Sequence, residues 1–197
     1  MNPETISVFV GHSDEATRRS IEEAAGQVGL EIAGRGGTRE MLLEFCVETP
    51  PDLIITGVRY PDGDGIEALV EISRRDPLPA IVISAAEGTP GLNEAMDDHV
   101  MAYLKDPVSA DDLKPTVHVV MRRFSQFREL HQEVKDLRAA LETRKKLERA
   151  KGILMAKHDL TEEQAYLKLR NIATSQRIKL SDVASVVIET ERKERKK

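Results

Sequence analysis

Short apolar runs alternate with amphipathic segments over residues 6–104. The apolar runs predict buried strands at residues 6–10, 30–33, 53–55, 80–84 and 101–104. The segments between them carry apolar residues three or four positions apart, the spacing that gives a helix one apolar face. They predict helices ending at Gly29 and spanning residues 41–47, 66–72 and 90–98, with a turn-rich loop at 60–65. Strands that alternate with helices predict an α/β fold with a doubly wound parallel sheet.

The pattern becomes continuously helical after Ser109, which is a good N-cap with Asp112 three residues on. Pro115 falls in the second turn, where its missing N–H is expected to bend or loosen the helix. A heptad-like stripe predicts a coiled-coil dimerisation helix over residues 109–143, in a parallel homodimer. The alternative is that the stripe packs against the chain's own N-terminal domain. The seam positions are Val117, Val120, Phe124, Phe127, Leu130, Val134, Leu137 and Leu141.

Residues 144–197 predict a bundle of three short amphipathic helices with a basic tail. Thr161 and Gln164 form a capping box at the start of the second helix, and Ser181 is a candidate N-cap for the third. Small and apolar residues that let helices approach closely are assigned to packing. They are Ala150, Gly152, Leu154, Ala165, Leu169, Ala173 and Ala184.

The formal net charge of −5 hides an asymmetry along the chain. Residues 1–110 hold 8 Lys and Arg against 20 Asp and Glu, a net charge of −12, and residues 111–143 hold 6 of each. Residues 144–197 hold 15 against 8, a net charge of +7. A basic C-terminal part on an acidic body indicates that only the basic part meets a polyanion, although a solvated charged surface gives the same pattern.

Several classes of protein are disfavoured by composition. No apolar run approaches the roughly 18 residues needed to span a bilayer, and no signal peptide is visible, so we expect a soluble cytoplasmic protein that does not contact membranes. The single cysteine, Cys46, lies among apolar residues and is predicted to be a buried thiol rather than a reactive one. No nucleophile–base pair, metal-ligand spacing or phosphate-cradling glycine loop is found, so we expect no enzyme, cofactor or metal site.

Three motifs of the C-terminal part resemble the ANTAR domain of bacterial antiterminators. They are A-K-G-I-L-M at 150–155, A-Y-x-x-L-R-x-x-A at 165–173 and L-x-x-V-A at 180–184. The resemblance implies an RNA-binding domain over residues 144–197. As a dimer it would bind paired stem-loops in a nascent mRNA leader and prevent a terminator hairpin from forming. Our candidate RNA contacts are Arg149, Lys151, Lys157, Arg170, Thr174, Ser175, Gln176, Arg177 and Lys179.

The N-terminal part resembles a response-regulator receiver domain, which has a flavodoxin-like sheet. The resemblance rests on P-D-L-I-I at 51–55, Pro61, Gly65, Ser84 and A-Y-L at 102–104. A working receiver needs an acidic pair after the first strand, an acceptor aspartate after the third, Ser or Thr after the fourth and a lysine before a proline after the fifth. Oxygen ligands hold Mg²⁺ there, and cations neutralise the phosphoryl group.

These positions are degenerate in this chain. The acidic pair falls on His12 and Ser13, the acceptor on Gly57 and the lysine on Asp106, so Ser84 alone is retained. We therefore predict a pseudo-receiver domain over residues 1–108 that cannot be phosphorylated at the usual site. Asp62 and Asp64 are interpreted as turn residues rather than substitute acceptors. His12 is interpreted as capping a strand end, with a proton or metal sensor as the alternative.

Regulation is left open by the sequence. A regulatory protein that binds the acidic pseudo-receiver is one hypothesis, and a constitutive dimer controlled by abundance is another. The alternative function is a protein–protein signalling adaptor whose helical tail binds a partner protein. DNA binding through a recognition helix is a weaker rival, because the resemblance is to RNA binders.

Overall fold

The computed structural model describes residues 5–84 and 102–194. The chain divides into two compact units, residues 1–128 and residues 129–197, which we call the first unit and the second unit. Each is described by itself below. Within the described residues, no helix is long and apolar enough to cross a membrane.

The first unit contains a five-stranded parallel sheet and a small antiparallel hairpin. The strands are β1 Ser7–Gly11, β2 Glu31–Gly36, β3 Leu53–Gly57, β4 Arg59–Tyr60, β5 Gly63–Asp64, β6 Ala80–Ser84 and β7 Ala102–Lys105. The sheet order is β2-β1-β3-β6-β7, and β4 pairs only with β5. This order confirms the predicted doubly wound parallel sheet. The predicted turn-rich loop at 60–65 contains a turn at residues 61–62, and the residues on either side of it pair as the short β4–β5 hairpin, which we did not predict.

Helices cover both faces of the sheet. They are α1 Glu15–Gln27, α2 Arg39–Glu48, α3 Gly65–Arg75 and the start of α4 Ala110–His158. Each of the first three begins at a side chain that accepts a hydrogen bond from the backbone of the first turn, and these N-caps are Asp14, Thr38 and Asp64. The helix predicted at 90–98 lies outside the described residues.

Two apolar clusters occupy the two faces of the sheet. Successive side chains of β1 point to opposite faces of the sheet and so belong to different clusters. Phe9 lies on the face covered by α2 and α3, and Val8 lies on the face covered by α1 and α4. Cys46 belongs to the first cluster and is 7% exposed, which confirms the predicted buried thiol. Burial raises its pKa to about 12, so the thiolate needed for reactivity is disfavoured.

Helix α4 runs for 49 residues and joins the two units. Ser109 is a side-chain cap at its start, as predicted, because Asp112 N donates a hydrogen bond to Ser109 Oγ at 3.2 Å. The helix continues through Pro115 without interruption. In the first unit, Leu113, Val117 and Val120 of this helix lie within the core cluster.

The second unit packs the end of α4 against α5 Glu162–Gln176 and α6 Leu180–Glu194. The capping box of Thr161 and Gln164 is present at the start of α5, as predicted. Ser181 is not an N-cap, because α6 begins one residue earlier, at Leu180. Six of the seven residues assigned to packing form the buried core together with Val183; they are Ala150, Leu154, Ala165, Leu169, Ala173 and Ala184.

Gly152 is the exception among the residues assigned to packing. It is exposed, and a Cβ atom built on it would meet nothing within 4 Å. The fold therefore does not need a glycine there, and the packing assignment was wrong.

Candidate functional site

The carboxyl ends of β1 and β3 meet at the edge where sheets of this topology place their chemistry. His12 follows β1 directly, and Gly57 is the last residue of β3. The imidazole lies against Gly57, and a Cβ atom built on that glycine would be 2.6 Å from His12 Cδ2 and 3.2 Å from Nε2. The ring therefore occupies the space that a side chain at position 57 would need.

The His12 ring is held in place by the turn that follows it. Asp14 N donates a hydrogen bond to Nδ1 at 3.0 Å, and Arg18 Nη1 donates one to the His12 carbonyl at 3.0 Å. The Asp14 carboxylate accepts a hydrogen bond from Thr17 N at 2.7 Å, which lowers the pKa of Asp14. Asp14 therefore serves as the N-cap of α1, and these contacts agree with a structural role for His12.

Tyr60 closes the same edge of the sheet. A side chain on Gly11 would meet the Tyr60 hydroxyl, and one on Gly65 would meet the carbonyl of Gly57. The hydroxyl also shares a 2.6 Å hydrogen bond with Thr56 Oγ1. Burial raises the pKa of Tyr60 to about 12. The site is thus built from glycines and two rings that fill the space above them.

The two aspartates of the P-D-G-D-G stretch cap helices. The Asp62 carboxylate accepts hydrogen bonds from Arg39 N at 2.8 Å and Glu40 N at 3.0 Å, at the start of α2. These two bonds lower the pKa of Asp62. Asp64 accepts from Ile66 N at 2.7 Å at the start of α3. Asp62 lies in a turn as predicted, whereas Asp64 ends β5.

The remaining positions of the degenerate site are spread along the sheet edge. Ser84 ends β6 and is half-buried, whereas Ser13 is exposed. Asp106 is half-buried, and its backbone N donates a hydrogen bond to the Ser84 carbonyl at 3.1 Å. Among the described residues, no group of three or more His, Cys, Asp or Glu side chains could hold a metal ion.

The candidate RNA contacts of the second unit are mostly exposed. Arg149, Lys151 and Lys157 lie on α4, and Arg170 lies on α5. The others follow along the end of α5 and the loop after it. Ser175 uses its hydroxyl to donate to the Ile172 carbonyl at 3.0 Å. The exposed candidates are Arg149, Lys157, Arg170, Thr174, Ser175, Gln176, Arg177 and Lys179.

Lys151 is a correction to the candidate list. Its side chain is 9% exposed, and its ammonium group contacts Glu148 Oε1 at 2.9 Å and Glu162 Oε1 at 2.6 Å. The hydrogen bonds to both carboxylates raise its pKa. Lys151 therefore joins α4 to the first turn of α5, and its charge is already neutralised within the protein.

Lys157 is partly available for RNA contact. Its ammonium group lies 2.6 Å from Glu191 Oε2, and its side chain remains 35% exposed. This contact joins the end of α4 to α6, so RNA would have to compete with Glu191 for the charge. Arg149, Arg170 and Lys179 form no ion pair with another described residue, and they are the more accessible cations.

The predicted dimerisation seam falls into two parts. Val117, Val120 and Phe124 are at most 7% exposed and pack within the first unit, so they do not belong to an intermolecular seam. Phe127 is half-buried, and its ring stacks on Phe124 with the centroids 6.1 Å apart. In the second unit, Leu130 is 61% exposed, Val134 46%, Leu137 63% and Leu141 53%. We call these four residues the apolar seam.

Sequence reasoning missed the partners that decide these roles. Glu162 neutralises Lys151 from 11 residues away, and Tyr60 covers Gly11 from a different strand. A faint signal existed for Lys151, because Glu148 precedes it by three positions on the same helix face. No local pattern pointed to Tyr60.

The first unit has a receiver fold, because its five parallel strands follow the order β2-β1-β3-β6-β7. A long helix and a small helical unit with exposed cations come after it, as in a receiver-fold protein with a C-terminal effector domain. Family models agree with both parts. The ANTAR domain matches residues 135–188, and the response regulator receiver domain matches residues 8–118. The chain belongs to the response regulators that carry an ANTAR domain.

Relatives support the same assignment over nearly the whole chain. The chain is 36% identical over 183 residues to the transcriptional regulatory protein PdtaR of Mycobacterium tuberculosis, covering 93% of this chain and 89% of that protein. It is 30% identical over 119 residues to the KDP operon transcriptional regulatory protein KdpE of Escherichia coli, covering 60% of this chain and 52% of that protein.

A solved structure shows the same fold. The signal receiver domain of the response regulator NarL from Mycobacterium tuberculosis superimposes with a TM-score of 0.57 at 19% identity. The match covers 61% of this chain and 98% of that one.

Proposed function

We propose that this protein is a cytoplasmic, RNA-binding transcription antiterminator. As a dimer it binds paired stem-loops in nascent mRNA leaders and prevents terminator formation, without aspartyl phosphorylation at the usual receiver site. The observation that carries the proposal is the exposed basic surface of the ANTAR domain. Arg149, Arg170, Arg177 and Lys179 are all exposed there, and none is paired with another described residue.

The chemistry of this surface suits structured RNA. Lys and Arg bind phosphates, and loop bases are the part of a stem-loop that side chains can read. Exposed hydrogen-bonding groups follow the cations in sequence, since Thr174, Gln176 and Arg177 lie at the end of α5. The net charge of +7 over residues 144–197 attracts RNA, whereas the −12 of residues 1–110 repels it.

The apolar seam supports a parallel homodimer. Placing Val134 and Leu141 at heptad position a puts Leu130 and Leu137 at d. Val134 is the β-branched one of the two a residues, and a β-branched residue at a with Leu at d favours two parallel strands. Four apolar side chains that are each 46% or more exposed on one helix stripe need a partner, and a second copy supplies an identical stripe.

Charge at the edge of the apolar seam favours the same arrangement. Glu133 takes a g position, and Arg138 takes the e position five residues later. In a parallel, in-register dimer each Glu133 faces the Arg138 of the other copy. Both side chains are exposed, and neither has a partner among the described residues of its own chain.

The loss of phosphorylation rests on Gly57 and His12. Glycine offers no carboxylate to phosphorylate, and the imidazole fills the space where one would stand, with 2.6 Å from His12 Cδ2 to a built Cβ. A different input must then set the activity. A regulatory protein that binds the acidic first unit would supply one, and control by abundance is the alternative.

The second candidate function is a signalling adaptor whose helical tail binds a protein. It is favoured by exposed apolar side chains of the ANTAR domain that are outside the apolar seam. Leu167 is 42% exposed on α5, and Val186 is 60% exposed on α6. The adaptor function would be supported by affinity for a partner protein that is lost when these two residues are replaced and that does not change with salt concentration.

The test is binding of the purified full-length protein to RNA carrying two adjacent hairpins, with a one-hairpin RNA as the control and no phosphodonor present. The RNA is selected by the protein from a pool with randomised loops. Sedimentation of the same sample reports the oligomeric state. Tight binding by a dimer that depends on both hairpins supports the antiterminator, and no enrichment of any RNA would leave the adaptor in its place.

A matched pair of variants locates the surface. Replacing Arg149 and Arg170 by Ala is expected to weaken RNA binding about tenfold or more, because two phosphate or base contacts are lost. Replacing the exposed Arg74 and Arg75 of α3 by Ala removes the same charge from the first unit and should leave RNA binding unchanged. Equal losses in the two variants would argue for unspecific charge attraction.

A further inference from the structure

Arg177 holds a backbone conformation that an arginine rarely adopts. It follows α5 as the C-cap, with φ 54° and ψ 40°, in the left-handed region. Its N–H and that of Ile178 close the helix by donating hydrogen bonds to the Ala173 carbonyl, at 3.0 Å for Ile178. Glycine is the usual residue at such a position, because an L side chain enters the left-handed region only with strain.

The fold gains nothing visible from the arginine side chain. Arg177 is exposed, and its guanidinium group forms no hydrogen bond or ion pair with any other described residue. Asp159, at the end of α4, is the other non-glycine residue with positive φ in the described chain, at 52°. Aspartate enters this region several times more often than most residues do. The arginine is therefore the anomalous one, and strain of this kind points to a function.

The surroundings of Arg177 fit an unstacked RNA base. Ile178 is 42% exposed beside it, and Lys179 follows, also exposed. A guanidinium plane stacks on a base and donates hydrogen bonds to its edge, an apolar side chain covers a base face, and an ammonium group holds the adjoining phosphate. Tyr166 is the single aromatic residue of the second unit, so stacking has to come largely from arginine.

The rigidity of the turn adds to the argument. Two helix-closing hydrogen bonds fix the backbone of Arg177, and α6 begins at Leu180, only three residues later. The direction of the Arg177 Cα–Cβ bond is thus fixed before RNA arrives, which reduces the backbone entropy lost on binding.

We infer that the turn of Arg177, Ile178 and Lys179 reads an unpaired base of the RNA loop, with Arg177 as the residue that determines loop specificity. This inference rests on the proposed RNA-binding function. It assigns base recognition to one turn of the ANTAR domain.

The experiment compares three variants of the full-length protein, Arg177→Gly, Arg177→Lys and Asp159→Gly. The probe is the two-hairpin RNA selected by the natural protein, and the reference is the same RNA with scrambled loops. Arg177→Gly is expected to have an unchanged or higher Tm, because glycine relieves the strained backbone. Its affinity for the selected RNA should fall about tenfold or more, to that for the scrambled RNA.

The other two variants separate base recognition from charge and from strain. Arg177→Lys keeps the positive charge without the planar fork, so it should retain binding to the scrambled RNA and lose the preference for the selected loop. Asp159→Gly makes the same change of backbone preference at the other helix end and should bind both RNAs as the natural protein does.

The possible outcomes distinguish this inference from the proposed function. If the Arg177→Gly protein or the Arg177→Lys protein keeps the full preference for the selected loop, the inference is wrong and the proposed RNA binding is unaffected. If the natural protein enriches no RNA from the pool, the proposed function fails and the inference fails with it.

Discussion

At the scale of single residues, the closed end of the receiver sheet depends on a fit between His12 and Gly57. A Cβ atom at position 57 would lie 2.6 Å from the His12 ring. Two non-bonded carbon atoms clash at this distance, so one of them would have to move. The ring is also tied to Asp14 N at 3.0 Å, so it cannot simply swing away. Any substitution at position 57 must displace this ring.

Gly57→Ala is therefore expected to destabilise the protein by about 1–3 kcal/mol, the usual range for overpacking a filled site. The matched control is Gly26→Ala in α1, where a Cβ atom would meet nothing within 4 Å. That change should stabilise the helix by up to about 1 kcal/mol. Urea unfolding measures both, and a Gly57→Ala protein as stable as the natural one would show that the ring does not fill the site.

A second residue-scale prediction concerns the pH dependence of stability. The amides of Arg39 and Glu40 hold the pKa of Asp62 below its ordinary value of 3.8. A carboxylate with a lowered pKa in the folded state stabilises that state above the unfolded pKa, and the contribution is lost as the pH falls through the folded pKa. Stability that depends on Asp62 is thus present above about pH 5 and disappears in acid.

Asp62→Asn removes the charge and keeps one oxygen that accepts a hydrogen bond. The variant should be less stable than the natural protein at about pH 7, and the difference should shrink as the pH falls to about 3. Unfolding by urea across this range provides the measurement. A constant difference at every pH would mean that the lost stability comes from geometry and not from the charge.

The residues of the site show where sequence reasoning ends. The place of Gly57 after the third strand's apolar run could be predicted because a receiver-like motif fixes it, and the structure has Gly57 as the last residue of β3. The role of Lys151 could not, because a basic residue in a basic segment resembles an RNA contact until Glu162 is placed 2.6 Å from it. Gly152 was misassigned for the reverse reason, since a small residue indicates packing only when a neighbour is near.

At the scale of elements, one apolar stripe on α4 serves two different surfaces. The spacing of Val117 and Val120 is the same as that of Val134 and Leu137, yet the first pair is buried in the receiver domain and the second is exposed. Periodicity identifies the face of a helix but not what covers it. The start of the helix could thus be predicted to within one residue. Which part of its apolar face is buried could not, because that depends on where the sheet lies.

The apolar seam yields a prediction about charge pairs. In the proposed parallel dimer, Glu133→Arg places arginines opposite one another at two symmetric positions, and Arg138→Glu does the same with glutamates. Each change should raise the dissociation constant of the dimer roughly tenfold at low salt, and the double exchange should restore it. Sedimentation equilibrium measures the constants.

Lys135→Glu is the control for this exchange, because Lys135 takes an outward b position in the same heptad and is exposed. It reverses a charge that faces no residue of the other copy, so the dissociation constant of the dimer should stay near that of the natural protein. An antiparallel or out-of-register dimer would not be rescued by the double exchange, and that result would remove the proposed orientation.

At the scale of the whole molecule, the distribution of charge separates two tasks. Residues 1–110 carry a net charge of −12, whereas residues 144–197 carry +7. Under the proposed function, RNA would be attracted to the second region and repelled by the first, which would leave the acidic region for a regulatory protein.

The proposed function makes RNA affinity depend on the dimer. Once one ANTAR domain holds a hairpin, the second meets the neighbouring hairpin at a high effective concentration, and avidity exceeds the single-site affinity by about 10²–10⁴. Leu137→Asp puts a charge into the apolar seam at a side chain that is 63% exposed, so each chain should remain folded while the dimer dissociates. Ala139→Asp adds the same charge on the outward face of the helix and is the matched control.

Leu137→Asp should sediment as a monomer and bind a one-hairpin RNA as well as the natural protein does. It should gain nothing from a second hairpin, whereas Ala139→Asp should keep the full gain. If the monomeric variant still prefers two hairpins, both must bind a single chain, and the apolar seam would then serve some purpose other than pairing two RNA-binding domains. The comparison of two RNAs with two variants thus tests whether dimerisation, and not the affinity of one domain, determines which leader is recognised.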